Sequence, residues 1–121
     1  MKMGIVILYV RDIERARKFY TEVVGVPVDE QFPVSDPDHF VMLAPEGSPL
    51  ALQATSTLPA GLAKEPGSVE IGFNLDGVDA ICQRWKRAGV EIVSEPETKP
   101  FGRYFLAKDP DGHFVDVYGQ A

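Results

Sequence analysis

One pattern of elements occurs twice along this chain, and this internal repeat limits the possible folds more than any other feature. Residues 10–13 align with residues 75–78 at an offset of 65, and residues 25–26 align with residues 89–90 at an offset of 64. In each copy, an apolar strand pattern precedes a helix pattern, and shorter strand patterns come after the helix. Two copies are too few for a solenoid. The repeat therefore predicts two similar modules, each with a helix on the outer face of a curved sheet and a concave inner face.

The first copy begins with an apolar run over residues 4–10, which predicts a buried strand. Residues 12–24 predict an amphipathic helix, because apolar residues recur every three or four positions, Asp12 can cap the start and Gly25 can end it. Turn-rich segments divide the rest of this copy into short pieces. Three short strands are predicted there, over residues 26–32, 39–44 and 49–54.

The second copy repeats this order. A strand is predicted over residues 69–75 and a helix over residues 78–88, after which Gly89 ends the helical pattern. Three further strands are predicted, over residues 90–94, 102–108 and 113–118. Between the copies, residues 58–67 have Gly, Pro and small residues without an apolar period. The chain therefore divides into a first module over residues 1–57, a linker over 58–67 and a second module over 68–121.

Composition excludes several classes of protein and partner. The chain has 121 residues, 45% of them hydrophobic, which is enough for one ordinary core. Its net charge of −6 opposes binding to nucleic acid. The N-terminal apolar run is too short to span a membrane and has no cleavage site of small residues. A single cysteine, Cys82, forms no internal disulfide, so we expect a cytoplasmic protein with neither nucleic-acid nor membrane partners.

Three segments, together with the order of the elements, resemble the vicinal oxygen chelate superfamily. They are DIERARKFY at residues 12–20, the helix-ending Gly25, and KDPDGHFVDVYG at residues 108–119. The superfamily includes glyoxalases, bleomycin-resistance proteins, fosfomycin-resistance enzymes and extradiol dioxygenases. The resemblance implies an α+β fold of two βαβββ modules, with curved mixed sheets enclosing a cavity for a small molecule, and often a homodimer. It does not fix the reaction.

In metal-using relatives, the metal ligands lie on the first and fourth strands of each module. The resemblance implies the corresponding positions here: Ile5, Glu70, Asp116, and either Ala51 or Gln53. Isoleucine has no lone pair to donate, so the site is incomplete. The remaining set of Glu70, Asp116 and Gln53 offers only oxygen donors, which suit Mn²⁺, Mg²⁺ or Ca²⁺ more than Zn²⁺. We expect no metal ion, or a weakly bound divalent cation.

Other side chains share the predicted cavity, because alternate residues of a strand face the same side. In the first module these make the cavity wall apolar, and in the second they accompany the two acids. The GRYF segment at residues 102–105 leaves open whether Arg103 or Tyr104 points inward. The ligand-binding candidates are Ile7, Tyr9, Gln53, Asn74, Arg103, Tyr104, Phe114 and Tyr118.

Without a metal ion, Glu70 and Asp116 are the catalytic candidates. Two carboxylates in a sheltered cavity repel each other, which raises at least one pKa and makes a proton donor or base. A plainer interpretation also stands. In it, both residues are ordinary surface acids that face solvent or pair with Arg103 or Lys108.

The two histidines are poorly placed for the cavity. His113 lies one position out of phase with the inward-facing residues of the last strand, so it is expected to point away. His39 follows Asp36 and Asp38 in a Pro-containing loop, where aspartates usually bond turn backbone rather than a metal. Cys82 lies on the buried face of the second helix, where a thiol is inert packing.

Three functions stay open. The leading hypothesis is a small-molecule-binding protein without the full metal site, resembling the bleomycin-resistance branch, which sequesters ligands. The alternative is a divalent-metal-dependent lyase, isomerase or dioxygenase using Glu70, Asp116 and Gln53. A third is a metal-free isomerase or lyase with Glu70 or Asp116 as the base. Whether the chain is an enzyme is therefore undecided by its sequence.

Overall fold

A computed structural model describes residues 5–57 and 69–120. The chain divides into two compact units, Met1–Pro66 and Gly67–Ala121. The predicted linker over residues 58–67 lies outside the described residues. None of the helices among the described residues is long and apolar enough to cross a membrane.

The first module contains a three-stranded mixed sheet with one helical segment against it. The strand order is β1-β3-β2, with β1 parallel and β2 antiparallel to the central strand. A 3₁₀ turn, Thr55–Thr57, comes after the last strand. The elements are β1 (Val6–Val10), α1 (Ile13–Lys18), a π-helical turn (Phe19–Val24), β2 (Phe40–Leu43) and β3 (Leu50–Ala54).

The helix predicted over residues 12–24 is present, but its second half, Phe19–Val24, is a π-helix rather than an α-helix. Asp12 caps its start by accepting a hydrogen bond from the Arg15 backbone N–H at 3.1 Å, as expected for an N-cap aspartate. Gly25 ends it with φ of +91°. The Gly25 and Val26 N–H groups both donate to the Tyr20 carbonyl, at 3.1 and 2.8 Å. The bond from Gly25 spans five residues, as in a π-helix, so the π-helix ends at this glycine.

The strand predicted over residues 26–32 is wrong. Of these residues, only Val28 forms a bridge, to Leu43 of β2. Pro27 within the segment, and Pro33 directly after it, supply no N–H for a sheet ladder. Within the segment, the Asp29 carboxylate accepts a hydrogen bond from the Gln31 N–H at 3.1 Å, which turns the chain.

The second module has the same arrangement with a full fourth strand. Its sheet order is β4-β7-β6-β5, so β4 and β7 correspond to β1 and β3, and β6 corresponds to β2. The last strand in this order is longer than predicted, reaching residue 99 through two register shifts. The elements are β4 (Glu70–Asn74), α2 (Val78–Arg87), β5 (Glu91–Lys99), β6 (Gly102–Lys108) and β7 (Phe114–Gly119).

Each module buries an aromatic residue between its helix and its sheet. Tyr20 is fully buried in the first module and meets Phe19 edge to face at 4.9 Å. Trp85 is fully buried in the second and meets Phe105 edge to face at 5.3 Å. Cys82 is buried on the same helix as Trp85, as the helical spacing predicted. Burial raises the pKa of the Cys82 thiol, so it stays protonated at neutral pH.

The turn before β7 is built around Asp109. One carboxylate oxygen accepts from the N–H groups of Asp111 and His113, both at 2.9 Å. The other lies 2.7 Å from the His113 Nδ1. His113 is only 2% exposed, and its role in the turn holds the start of β7 in place.

Candidate functional site

The sheet of the second module has one face that packs against α2 and an opposite face, which we call the open face. Cross-strand neighbours place its side chains in three rows, because paired residues point to the same side. The rows run from β4 through β7 and β6 to β5. They are Glu70, Phe114, Lys108 and Glu91; Gly72, Asp116, Leu106 and Ser94; and Asn74, Tyr118, Tyr104 and Glu97.

Asp116 occupies the middle of the open face and is only 8% exposed. Its cross-strand neighbours are Gly72 and Leu106, which offer no charge. A Cβ atom added at Gly72 would lie 2.9 Å from the Asp116 Oδ1, closer than real contacts allow. Glycine at this position therefore makes space for the carboxyl group, which lies over the neighbouring strand.

The electrostatic environment of Asp116 favours its neutral form. Burial, followed by a hydrogen bond with Glu70 and the charge of Glu70, raises the pKa of Asp116 from 3.8 to about 7. A carboxyl group with this pKa holds a proton during part of its time at neutral pH. The pair can therefore donate a proton to a ligand or accept one from it.

Three aromatic rings stand at one end of the open face. Phe101 meets Tyr104 edge to face at 5.7 Å and meets Tyr118 edge to face at 6.1 Å. The Phe101 ring is 59% exposed, so the cluster presents apolar surface to its surroundings. Burial raises the pKa of Tyr104, and the charges of Glu70 and Asp116 raise it further, which keeps its hydroxyl protonated as a donor.

Phe101 was missed in the sequence, although its spacing contained a usable signal. It precedes Tyr104 by three residues, across the tight turn at Gly102, where φ is +130°. A Cβ atom at Gly102 would lie 2.7 Å from the Gly119 carbonyl oxygen, so the turn needs glycine. Aromatic residues on both sides of such a glycine are a signal that two rings fold onto one end of a sheet.

The basic residues near the site engage other acids. Arg103 lies on the α2 side, where its Nε and Nη2 donate to the two Asp79 carboxylate oxygens at 2.8 and 3.0 Å. Lys108 lies on the open face. Its Nζ is 3.9 Å from the Glu91 Oε2 and 5.6 Å from the centre of the Phe114 ring. Of the pair left open by the sequence, Tyr104 therefore shares the face of Asp116. The plainer interpretation, in which both site acids face solvent or pair with these cations, holds for Glu70, which is exposed, but not for the buried Asp116.

The first module presents the equivalent face without acids. Ile7 pairs with Ala51 and Tyr9 pairs with Gln53, and all four side chains lie opposite the α1 side. At an offset of 65 residues, the Ile7–Ala51 pair corresponds to Gly72–Asp116. Ala51 and Gln53 thus face the same way, and Ala51, fully buried, has the position that Asp116 has in the second module.

Donors for a metal ion are few. Ile5 is 38% exposed and precedes β1, and the Gln53 amide donates to the Thr57 hydroxyl at 2.9 Å. Glu70 and Asp116 form a pair of carboxyl groups in the second module. Across residues 5–57 and 69–120, no group of three or more His, Cys, Asp or Glu side chains is arranged to hold a metal ion.

Comparisons with known proteins agree with this architecture. The model of the Glyoxalase/Bleomycin resistance protein/Dioxygenase superfamily matches residues 2–117. The phenazine antibiotic resistance protein EhpR of Enterobacter agglomerans is 31% identical over 118 residues, covering 92% of this chain and 86% of EhpR.

Solved structures extend the similarity. The antibiotic binding protein TnmS3 from Streptomyces sp. CB03234 superposes with a TM-score of 0.76 at 28% identity, covering 100% of this chain and 97% of that one. A glyoxalase-related enzyme from Fulvimarina pelagi has a TM-score of 0.80 at 23% identity, covering 99% and 88%, which supports the fold alone. The α+β fold predicted from the sequence is confirmed. The chain belongs to the glyoxalase/bleomycin resistance protein/dioxygenase superfamily.

Proposed function

We propose that this protein binds a small aromatic molecule on the open face of the second module, without a metal ion, and holds it rather than transforming it. The observation that supports this most is the cluster of Phe101, Tyr104 and Tyr118 beside the buried Asp116. Aromatic rings supply apolar contact area, and a few polar groups fix the orientation of the ligand.

The chemistry of the site favours a flat ligand with a hydrogen-bonding edge. Phe101 and Tyr104 lie nearly perpendicular to each other, so a third ring can stack on one and meet the edge of the other. The carboxyl group of Asp116 and the hydroxyl of Tyr104 are polar groups on this face, and both favour protonated forms. Such donors match a carbonyl oxygen or ring nitrogen on a flat heteroaromatic molecule.

One further observation supports binding without a metal ion, and another supports the type of ligand. Of the first-module positions that correspond to metal ligands, Ile5 has no donor atom, and neither has Ala51, whose register matches that of Asp116; the other candidate, Gln53, bonds Thr57. Similarity to EhpR and TnmS3, named for phenazine antibiotic resistance and antibiotic binding, supports a ligand of the antibiotic type. A homodimer stays a prediction, which sedimentation analysis tests.

The decisive experiment is a thermal-shift screen of planar aromatic compounds, including phenazine-1-carboxylate, in EDTA and again with Mn²⁺. We expect compounds that raise Tm equally in both conditions. Tyr104→Ala and Asp116→Ala should each weaken binding about tenfold, a loss typical of one aromatic or buried hydrogen-bonding contact. Glu91→Gln is the matched control, because it removes a carboxylate at the opposite edge of the same face.

The proposal fails if Tm rises only with Mn²⁺, or if the Tyr104 and Asp116 variants bind as tightly as Glu91→Gln. The first outcome would favour the divalent-metal-dependent enzyme instead. A stoichiometric metal ion in protein purified without chelator, lost on Glu70→Gln, would favour it equally.

A second candidate function is metal-free proton transfer, and the raised pKa of Asp116 favours it. A carboxyl group that titrates near neutrality can move a proton to and from carbon or oxygen. Recovering each bound compound after long incubation and recording its NMR spectrum distinguishes the two functions. Sequestration predicts unchanged compound, whereas an isomerase or lyase returns product that is lost with Asp116→Asn.

A further inference from the structure

A pocket of about 320 Å³ lies within the first module, where the loop before β2 passes over the end of β3. Its volume is at the lower end of the range for small-molecule sites. The residues of its wall that matter here are Phe32, Asp36, His39, Phe40, Gln53 and Thr57. None of them belongs to the open face of the second module.

Asp36 orients the His39 imidazole in this pocket. The His39 Nδ1 lies 3.0 Å from both carboxylate oxygens of Asp36. A carboxylate only accepts hydrogen bonds, so Nδ1 must carry the proton. In the neutral ring, Nε2 then has the lone pair, which makes it a base whose tautomer is fixed by its neighbour.

The backbone holds this pair in place. The His39 N–H donates to the Asp36 carbonyl at 3.1 Å, closing a turn, and the His39 carbonyl accepts from the Ala54 N–H of β3 at 2.9 Å. The prediction that the Asp36 side chain bonds turn backbone is wrong, because its carboxylate contacts the His39 ring. A base attached to a strand keeps its direction better than one on a free loop.

The opposite wall is aromatic. Phe32 and Phe40 stack with ring centroids 6.4 Å apart and planes 25° apart. Gln53 and Thr57 add an amide and a hydroxyl, which hydrogen-bond to each other at 2.9 Å. A flat ring can lie on the phenylalanines while a polar substituent reaches His39.

We propose that this pocket binds a small aromatic molecule with a hydroxyl group, a phenol or enol, which donates a hydrogen bond to the His39 Nε2. Asp36 is a positioning residue, because its contact with Nδ1 leaves the Nε2 lone pair free to accept that bond. Asp36 and His39 are the titratable residues that line the pocket.

The test uses long-range ¹H–¹⁵N NMR of the imidazoles in the intact chain, titrated with 4-cyanophenol at about pH 7, where the free probe is a neutral phenol. The chain has two histidines, so the signals are readily assigned. We expect the His39 Nε2 signal to move as it accepts the phenol hydrogen bond, and unchanged signals from His113, which is buried against Asp109.

Two matched controls sharpen the result. The methyl ether 4-cyanoanisole has nearly the same shape but no acidic proton, and it should bind at least tenfold more weakly. Asp36→Asn should weaken 4-cyanophenol binding about tenfold, because the carboxylate that keeps the proton on Nδ1 and the lone pair on Nε2 is lost. Asp38→Asn removes the same charge from the same turn outside the pocket wall and should bind like the unaltered chain.

The inference is overturned if millimolar 4-cyanophenol leaves the His39 signals unmoved, if the ether binds equally well, or if the Asp36 and Asp38 variants behave alike. The comparison of phenol with ether needs no variant, so it holds even if a substitution disturbs folding. The proposed function is decided by the Tyr104 and Asp116 variants and this inference by the His39 signals, so either can fail alone.

Discussion

The two modules share one hydrogen-bond register but differ in the side chains at its centre. In the second module, Gly72 lies opposite Asp116, and in the first, Ile7 lies opposite Ala51. The same pair of parallel strands thus supports a buried carboxyl group in one module and an apolar surface in the other. The repeat preserves the backbone, while the chemistry resides in a few replaceable side chains.

The comparison also shows what a buried acid needs in a sheet. Asp116 has a glycine beside it, which leaves space for the carboxyl group, and a second acid close enough to share a proton. Ala51 has neither, since its neighbour is a full isoleucine side chain. We therefore expect the modules to respond alike to changes in their cores and differently to changes at these central pairs.

The largest expected effect tests whether the cores of the two modules are equivalent. Tyr20 and Trp85 are both fully buried between helix and sheet. Tyr20→Ala and Trp85→Ala should each lower the free energy of unfolding by about 3–5 kcal/mol, through lost apolar burial and the cavity left behind. Chemical denaturation followed by circular dichroism measures both. A cost below about 1 kcal/mol for either one would show that the two cores are not equivalent.

Introducing an aspartate at the position of the first module that corresponds to Asp116 tests how the two central pairs differ. Ala51→Asp buries a carboxylate next to Ile7, and we expect it to lower the free energy of unfolding by about 2–4 kcal/mol at pH 8. The double variant Ala51→Asp with Ile7→Gly copies the central pair of the second module. Ala51→Asp should therefore cost less stability when it is added to Ile7→Gly than when it is added to the unaltered chain. An unchanged stability for Ala51→Asp would mean that the first module tolerates an acid without the glycine.

Removing the acid from the second module should stabilise it, but only at higher pH. The pKa of Asp116 is raised in the folded state, so between about pH 4 and pH 7 the folded chain holds a proton that the unfolded chain has released. Stability from this group is present below pH 4 and is lost as pH rises to 7. Asp116→Asn should therefore raise the free energy of unfolding by about 2 kcal/mol at pH 8 and by little at pH 4.

Denaturation curves at the two pH values, with Glu91→Gln as the exposed-acid control, measure this difference. If Asp116→Asn has the same effect at both pH values, burial and Glu70 do not hold the proton on Asp116.

The smallest effect tests the space at Gly72. Gly72→Ala puts a methyl group 2.9 Å from the Asp116 Oδ1 and should cost about 1 kcal/mol. The cost should largely vanish in Asp116→Ala, where no carboxyl group needs the space. A double-mutant cycle measures the coupling, and additive effects would contradict the packing of this pair.

The sequence predicted the repeated elements well where side-chain periodicity is set by burial. Both helices lie where they were predicted, and β6 has the predicted bounds, because apolar alternation reflects the face that packs on α2. The error at residues 26–32 has a local cause: Pro27 removes a ladder donor inside the run, and the Asp29 carboxylate turns the chain at Gln31.

The candidate site was predictable only in part. Alternation along β4 and β7 placed Glu70 and Asp116 on one face, whereas the choice between Arg103 and Tyr104 depended on the partner that Arg103 finds in α2, Asp79. Phe101 and the Asp36–His39 pair depend on turn geometry, which single-residue patterns do not specify. The roles of these residues in binding stay predictions, and so do the roles of the ligand-binding candidates named from the sequence.

The most direct test of the central claim, that the acid pair of the second module stores a proton rather than a metal ion, is a ¹³C NMR titration of the Asp116 carboxyl carbon. We predict a midpoint near 7, the value to which burial and Glu70 raise this pKa, a lower midpoint in Glu70→Gln, and no change on adding Mg²⁺. A midpoint in the ordinary range of aspartate, or one displaced by stoichiometric Mg²⁺, would contradict it.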